Sequence, residues 1–146
     1  MKLLKKIIII FGPLVGGIIV GFIAPATSYK GINKPPLSPP GLLFPIVWSI
    51  LYLLMGISFY LALNKKYNKK SVFLVQLIVN YIWPILFFNF RLYTISAFWL
   101  IMLIGLVINM IIKFLETKKI AGILQFPYFI WLLFALYLNI GVAILN

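Results

Sequence analysis

The sequence predicts an all-α integral membrane protein, a single bundle of five transmembrane helices with a proline-rich first loop. Three observations carry that expectation. The 146 residues are 64% hydrophobic, with a mean hydropathy of +1.15, outside the range of soluble globular chains. Five apolar stretches are each long enough, at a rise of about 1.5 Å per residue, to cross a hydrocarbon layer about 30 Å thick. The basic residues gather at the ends of those stretches and leave their interiors bare.

The first span covers residues 7–26, IIIIFGPLVGGIIVGFIAPA. Its lysine-rich lead and its Ala24-Pro25-Ala26 end have the outline of a signal peptide. The apolar run is too long for one, however, and Gly12, Gly16, Gly17 and Gly21 form overlapping small-xxx-small pairs, so it reads as a retained helix whose glycines pack on a neighbour. Next, residues 31–56 hold Pro35, Pro36, Pro39, Pro40 and Pro45. Proline fixes its own φ and pushes the preceding residue out of the α region, so residues 34–40 read as a stiff, non-helical lid rather than a tether. A second span over 42–63 precedes Lys65, Lys66, Lys69 and Lys70. The third, 72–90, carries Gln76, Asn80, Trp83 and Pro84, and Arg91 and Tyr93 turn the chain. A fourth span, 94–115, ends in Glu116, Lys118 and Lys119, and the fifth covers 121–145. Apart from the lid, the connections are too short to fold alone, so residues 1–146 are expected to form one domain. No internal or inverted repeat of the kind that builds many transporters is present.

Charge sets the expected orientation. Lys2, Lys5, Lys6, Lys65, Lys66, Lys69, Lys70, Lys113, Lys118 and Lys119 fall on one side, and only Lys30, Lys34 and Arg91 on the other. The positive-inside rule then places the N-terminus in the cytoplasm, with the lid and the C-terminus outside. The net charge of +12 reads as topology signal and attraction to anionic lipid rather than nucleic-acid binding, since no basic patch with interleaved aromatics lies outside the spans. The short chain fits a bacterial plasma membrane.

Cysteine and histidine are absent and Glu116 is the only carboxylate. That excludes disulfides, thiol nucleophiles, Cys/His metal sites, axial haem ligation by either residue and paired-carboxylate catalysis. No metal, resident cofactor or ordinary acid–base catalytic residue is therefore expected.

Three helix faces stand out. Trp48, Leu51, Tyr52 and Met55 recur at i, i+3, i+4 and i+7 on the second helix, forming an aromatic wall under the lid. Gln76, Asn80, Trp83 and Phe87 share a face of the third, where Pro84 cannot donate to the Asn80 carbonyl and so leaves an acceptor open beside the Asn80 amide. Tyr128, Trp131, Ala135, Leu138 and Asn139 lie within about 100° of arc on the fifth, with Ala135 leaving room between the aromatics and the amide. Asn and Gln inside a membrane often serve as interhelical glue, the role read for Asn109 and Gln125. Trp99 reads as an anchor or packing residue. A rigid lid over aromatic walls with a few polar groups describes a pocket for a flat, largely apolar ligand.

The run Lys34-Pro35-x-x-x-Pro39-Pro40, then Phe44-x-x-x-Trp48-x-x-Leu51-Tyr52-x-x-Met55-Gly56, then Gln76-x-x-x-Asn80-x-x-Trp83 with Phe87-Phe88, and last Pro127-Tyr128-x-x-Trp131-x-x-Phe134-Ala135-x-x-x-Asn139, resembles the tryptophan-rich sensory protein/translocator protein family (TspO/MBR), also called the peripheral benzodiazepine receptor family. The match runs in order along the whole chain. It implies a five-helix bundle, commonly a homodimer, that binds protoporphyrin-like tetrapyrroles in a pocket closed by the first loop. In animal members it also implies cholesterol and synthetic ligands.

By that resemblance Trp48 and Trp131 flank the ligand, Asn80 supplies a polar contact and Tyr29 is the loop tyrosine. Lys34 or Tyr29 is placed to meet the ligand's carboxylates, and Pro39, Pro40, Phe44, Tyr52, Trp83, Phe87, Tyr128 and Ala135 complete the expected site. Two departures stand out. Ser28 occupies the place where the family usually has a tryptophan before the loop tyrosine. No Lys or Arg follows Lys119, so the sterol-recognition pattern of animal members is missing at the end of the fifth helix; a stray match, Leu63-x-x-x-Tyr67-x-Lys69, falls on the inner loop. The functional expectation is a membrane receptor or sensor for tetrapyrroles. The alternatives are a carrier of such ligands across the membrane, a light-dependent porphyrin-degrading activity using Trp48 and Trp131, and a lipid-organising scaffold. The partners expected are a flat hydrophobic ligand, membrane lipids and a second copy of the chain.

Overall fold

The computed structural model describes residues 2–29, 31–63 and 70–146, with only the backbone described for Thr27 and Ser28. Every long element is helical. Helix α1 is Leu3–Ile23, followed by a 3₁₀ turn at Ala26–Tyr29. Helix α2 is Leu43–Ala62, α3 is Lys70–Pro84 with a π-helical continuation at Ile85–Asn89, and α4 is Tyr93–Thr117. A short α5, Lys119–Ile123, leads into α6, Phe126–Leu145. Among the described residues, five segments are long and apolar enough to cross a membrane: Leu3–Ile23, Leu43–Ala62, Lys70–Asn89, Tyr93–Thr117 and Lys119–Leu145. The protein is thus an all-α, multi-pass membrane protein.

Three spans, the first, third and fifth, differ in detail from the sequence expectation, each for a physical reason. Helix α1 begins at Leu3 rather than residue 7, because lysines near a helix end can carry their charge along the stem towards the interface; Lys6 Nζ lies 5.1 Å from the centre of the Tyr60 ring. At the far end α1 stops at Ile23, before Pro25. The fifth span is two helices. Pro127 has no N–H to continue the ladder, so α5 tightens into Gln125 N–H donating to the Gly122 carbonyl at 3.1 Å, and α6 resumes with Phe129 N–H on the Gln125 carbonyl at 3.1 Å. On α3, Pro84 is followed by a wider turn in which Phe90 N–H reaches the Ile85 carbonyl at 3.1 Å, five residues back.

Helix α1 packs along α2 and touches α3; α4 lies against α3, α5 and α6; α2 meets α5. The α1–α2 crossing is close because both sides lack bulk. A Cβ on Gly56 would collide with the Ile10 carbonyl, and one on Gly17 with the Tyr52 ring. Gly16 accommodates Tyr81, whose hydroxyl donates to the Pro13 carbonyl at 2.6 Å. Of the four α1 glycines read as packing residues, Gly16 and Gly17 do pack, while Gly12 and Gly21 face open space. At the end of the bundle away from the lid, Phe59 stacks on Phe73 at 4.1 Å and Phe73 on Phe114 at 6.3 Å, joining α2, α3 and α4.

The lid is fastened to the end of α6. Asn33 and Asn146 exchange hydrogen bonds, Asn33 N–H to Asn146 Oδ1 at 3.1 Å and Asn146 Nδ2 to the Asn33 carbonyl at 2.8 Å. Tyr137 donates to the Pro36 carbonyl at 2.6 Å. Pro35 is buried against Gly141, where a Cβ would strike its ring. Asn89 Nδ2 donates to the Ile23 carbonyl at 2.9 Å, so the lid, the α3–α4 turn and the end of α6 share one end of the bundle. Within the lid, Leu37 has φ of 67°, a left-handed conformation that costs a non-glycine residue about 1–2 kcal/mol.

Candidate functional site

Under the lid the three expected walls meet. Tyr29, Phe44, Trp48, Trp83, Phe87, Phe88, Trp131, Ala135, Leu138 and Asn139 surround one apolar centre. The rings are set mostly edge to face: Tyr29 on Phe44 at 5.1 Å, Phe44 on Trp131 at 6.2 Å and Trp48 on Trp131 at 6.5 Å. The space they leave is only about 10 Å³, roughly one water and far short of a ring system.

A much larger space lies on the other side of the same aromatic wall. A groove of about 650 Å³ runs between α1, the lid and α2, with Phe44, Trp48, Trp83 and Phe88 common to both spaces. Gly17 and Gly21 of α1, with Ala24 just beyond its end, form one bank, Pro40, Pro45 and Tyr52 the other. Ile18 and Phe22, which also border it, are 49% and 83% exposed, so the groove opens towards lipid.

Polar groups are few and mostly engaged. Tyr52 Oη donates to Asn80 Oδ1 at 2.6 Å, Asn80 Nδ2 donates to Tyr128 Oη at 2.8 Å, and Tyr128 Oη donates to Gln76 Oε1 at 2.9 Å. This chain crosses from α2 through α3 to α6 and returns to α3. It holds Asn80 within the bundle and fixes Tyr52, which stacks on Trp48 at 5.5 Å. Asn139 acts as a clamp, accepting from Trp83 Nε1 at 2.9 Å and donating to the Tyr93 carbonyl at 2.8 Å. Trp99 Nε1 donates to the Val79 carbonyl at 2.8 Å, tying α4 to α3. Two donors in the cage, Tyr29 Oη and Trp131 Nε1, find no hydrogen-bond partner among the described residues.

At the rim, Lys34 Nζ stands 4.5 Å from the centre of the Tyr29 ring. Burial pushes the Tyr29 phenol up from its ordinary pKa, with the Ser38 hydroxyl pulling part of the way back. That hydroxyl itself donates to the Pro35 carbonyl at 2.6 Å.

The sequence-derived site therefore divides. Tyr29, Phe44, Trp48, Trp83, Phe87, Trp131 and Ala135 converge on the cage; Tyr52 and Pro40 border the groove; Asn80 and Tyr128 sit in the polar chain. Lys34 is exposed on the lid and Pro39 half-buried there. The α1 bank was missed: Gly17, which packs on Tyr52, and Gly21, which faces open space, both border the groove, and their one-turn spacing does not separate the two roles. Phe88, present in the motif but not chosen, is shared by both spaces. Asn109 faces outward on α4, not into the bundle as glue would. Lys30, Lys65, Lys66, Lys69, the Ser28 side chain and most of the stray sterol-type match lie outside the described residues.

Comparison with known proteins agrees with the architecture. The model of the TspO/MBR family matches residues 9–145. This chain belongs to the TspO/MBR family. It is 33% identical over 124 residues to the tryptophan-rich protein TspO of Archaeoglobus fulgidus, covering 82% of this chain and 80% of that one. It is 30% identical over 130 residues to the translocator protein homolog of Schizosaccharomyces pombe, covering 84% and 79%. Against the human translocator protein it is 30% identical over 118 residues, covering 76% and 70%. The chain thus presents a narrow aromatic cage beside an open groove.

Proposed function

We propose that the protein is a membrane receptor for tetrapyrroles of the protoporphyrin kind and for other flat hydrophobic molecules. The observation that carries this reading is the groove of about 650 Å³ backed by Phe44, Trp48, Trp83 and Phe88. Ligand sites run to about 300–1,000 Å³ and are mostly apolar with a few polar groups, and an aromatic bank suits a planar ring. The sealed cage behind it becomes available to the ligand only when its rings or the lid shift. Lys34 at the rim offers a cation for a ligand carboxylate. Family membership supports the same class of ligand.

The test is a titration with protoporphyrin and, separately, with a sterol. Wild-type protein is expected to saturate with porphyrin. Gly21→Phe, whose side chain enters the groove from a position with no neighbour within 4 Å, is expected to weaken binding with the fold kept. Unchanged affinity in Gly21→Phe would remove the groove as the seat. The groove's opening towards lipid also favours a second reading, a carrier that exchanges ligand with the bilayer. Net porphyrin flux into liposomes distinguishes it, because a receptor binds without transport. A light-dependent reaction would draw on Trp48 and Trp131 as electron donors, and equal bleaching of illuminated porphyrin by protein lacking both would remove it.

The charge asymmetry supports an orientation with the N-terminus in the cytoplasm and the lid outside, in a bacterial plasma membrane. Family membership supports a homodimer.

A further inference from the structure

The hydrogen-bonded chain that begins at Tyr52 stops short. Its last acceptor is Gln76 Oε1, and Gln76 Nε2 has no partner among the described residues. Gln125, at the α5–α6 break, likewise has none among the described residues for either Oε1 or Nε2. Both side chains are 0% exposed. Their depths correspond: Asn80 of α3 bonds Tyr128 of α6, and stepping about one turn back along each helix, in the same direction, reaches Gln76 and Gln125. Three unpaired polar atoms from two buried glutamines thus lie about one turn from the Asn80–Tyr128 contact, where each unmade bond costs about 1–3 kcal/mol.

We infer that Gln76 and Gln125 bind an internal water molecule that bridges the two amides and extends the polar chain beyond Gln76. The donor and acceptor inventory selects water. Two of the three atoms are N–H donors and one is a carbonyl oxygen. A cation meets the wrong polarity at the nitrogens, and an anion leaves the Gln125 oxygen unmatched. Direct amide-to-amide contact satisfies Gln76 Nε2 and Gln125 Oε1 but strands Gln125 Nε2. Water accepts from the nitrogens and donates to the oxygen, within the two to four bonds that buried waters make. The sequence Tyr52, Asn80, Tyr128, Gln76, water, Gln125 then forms one path from the groove wall towards the end of the bundle away from the lid.

The test is water-edited solid-state NMR on the full-length protein in phospholipid vesicles with labelled Asn and Gln side chains. Asn139 is the internal control, since it is equally buried but has both polar atoms bound by protein groups. Magnetisation from water is expected to reach the Gln76 and Gln125 amides several-fold faster than the Asn139 amide. Rates equal to Asn139 would overturn the inference in the wild-type protein alone. In Gln125→Leu, or Gln125→Met should leucine fail to insert, the Gln76 signal is expected to fall to the Asn139 level. A Gln76 signal that survives the substitution would contradict the bridge.

Discussion

Replacing Asn80 with leucine tests how the bundle holds its aromatic wall. The substitution puts an apolar side chain of similar size in its place and removes the acceptor for Tyr52 Oη and the donor to Tyr128 Oη. Interhelical hydrogen bonds in membrane bundles average about 0.6 kcal/mol and reach about 1.7. Tyr128 keeps Gln76 as its acceptor, whereas Tyr52, 5% exposed, is left with a buried hydroxyl that costs about 1–3 kcal/mol. Together these give an expected loss of about 2–4 kcal/mol, read from reversible unfolding in mixed detergent micelles. Tyr52→Phe in the Asn80→Leu background removes the stranded hydroxyl and is expected to recover a large part of the loss, so the cycle yields a coupling energy. A loss below about 0.5 kcal/mol, or additive single changes, would refute the chain as a structural tie.

Three further outcomes follow from the packing. Gly56→Ala drives a methyl into the Ile10 carbonyl and is expected to cost about 1–3 kcal/mol as α1 shifts from α2, visible as earlier thermal loss of tryptophan fluorescence. Leu37→Gly relieves the left-handed strain in an exposed lid residue, and a gain of up to about 1 kcal/mol is expected, less the added freedom of glycine in the unfolded chain. Asn146→Ala with Tyr137→Phe removes the lid's side-chain fastenings; faster hydrogen exchange at residues 31–40 is expected, while exchange in α4 stays unchanged.

The span count was legible because hydropathy and length alone decide it, and the pocket walls because helical spacing puts Trp48 beside Tyr52 and Trp131 beside Ala135. The break before α6 was less visible, since one proline near a helix start is ordinary and only the missing N–H of Pro127 marks it. Spacing also placed Asn80 on the right face without showing that its amide would be taken up by Tyr52 and Tyr128, because a hydrogen-bond partner 28 or 48 residues away leaves no local trace. The α1 bank escaped for a related reason. Glycines that admit a neighbouring helix and glycines that leave a groove have the same spacing, and only the position of Tyr52 and Tyr81 separates Gly16 and Gly17 from Gly21.

The most direct test of the receptor reading is the affinity for protoporphyrin, followed by the porphyrin's own absorption band so that removing tryptophans does not change the readout. Trp48 backs both the cage and the groove, while Trp99 is committed to the Val79 carbonyl away from both. Trp48→Leu is expected to weaken binding about tenfold, equivalent to about 1.4 kcal/mol, and Trp99→Phe to leave it unchanged. Binding that never saturates in the wild-type protein, or that is the same in Trp48→Leu as in Trp99→Phe, would contradict the account.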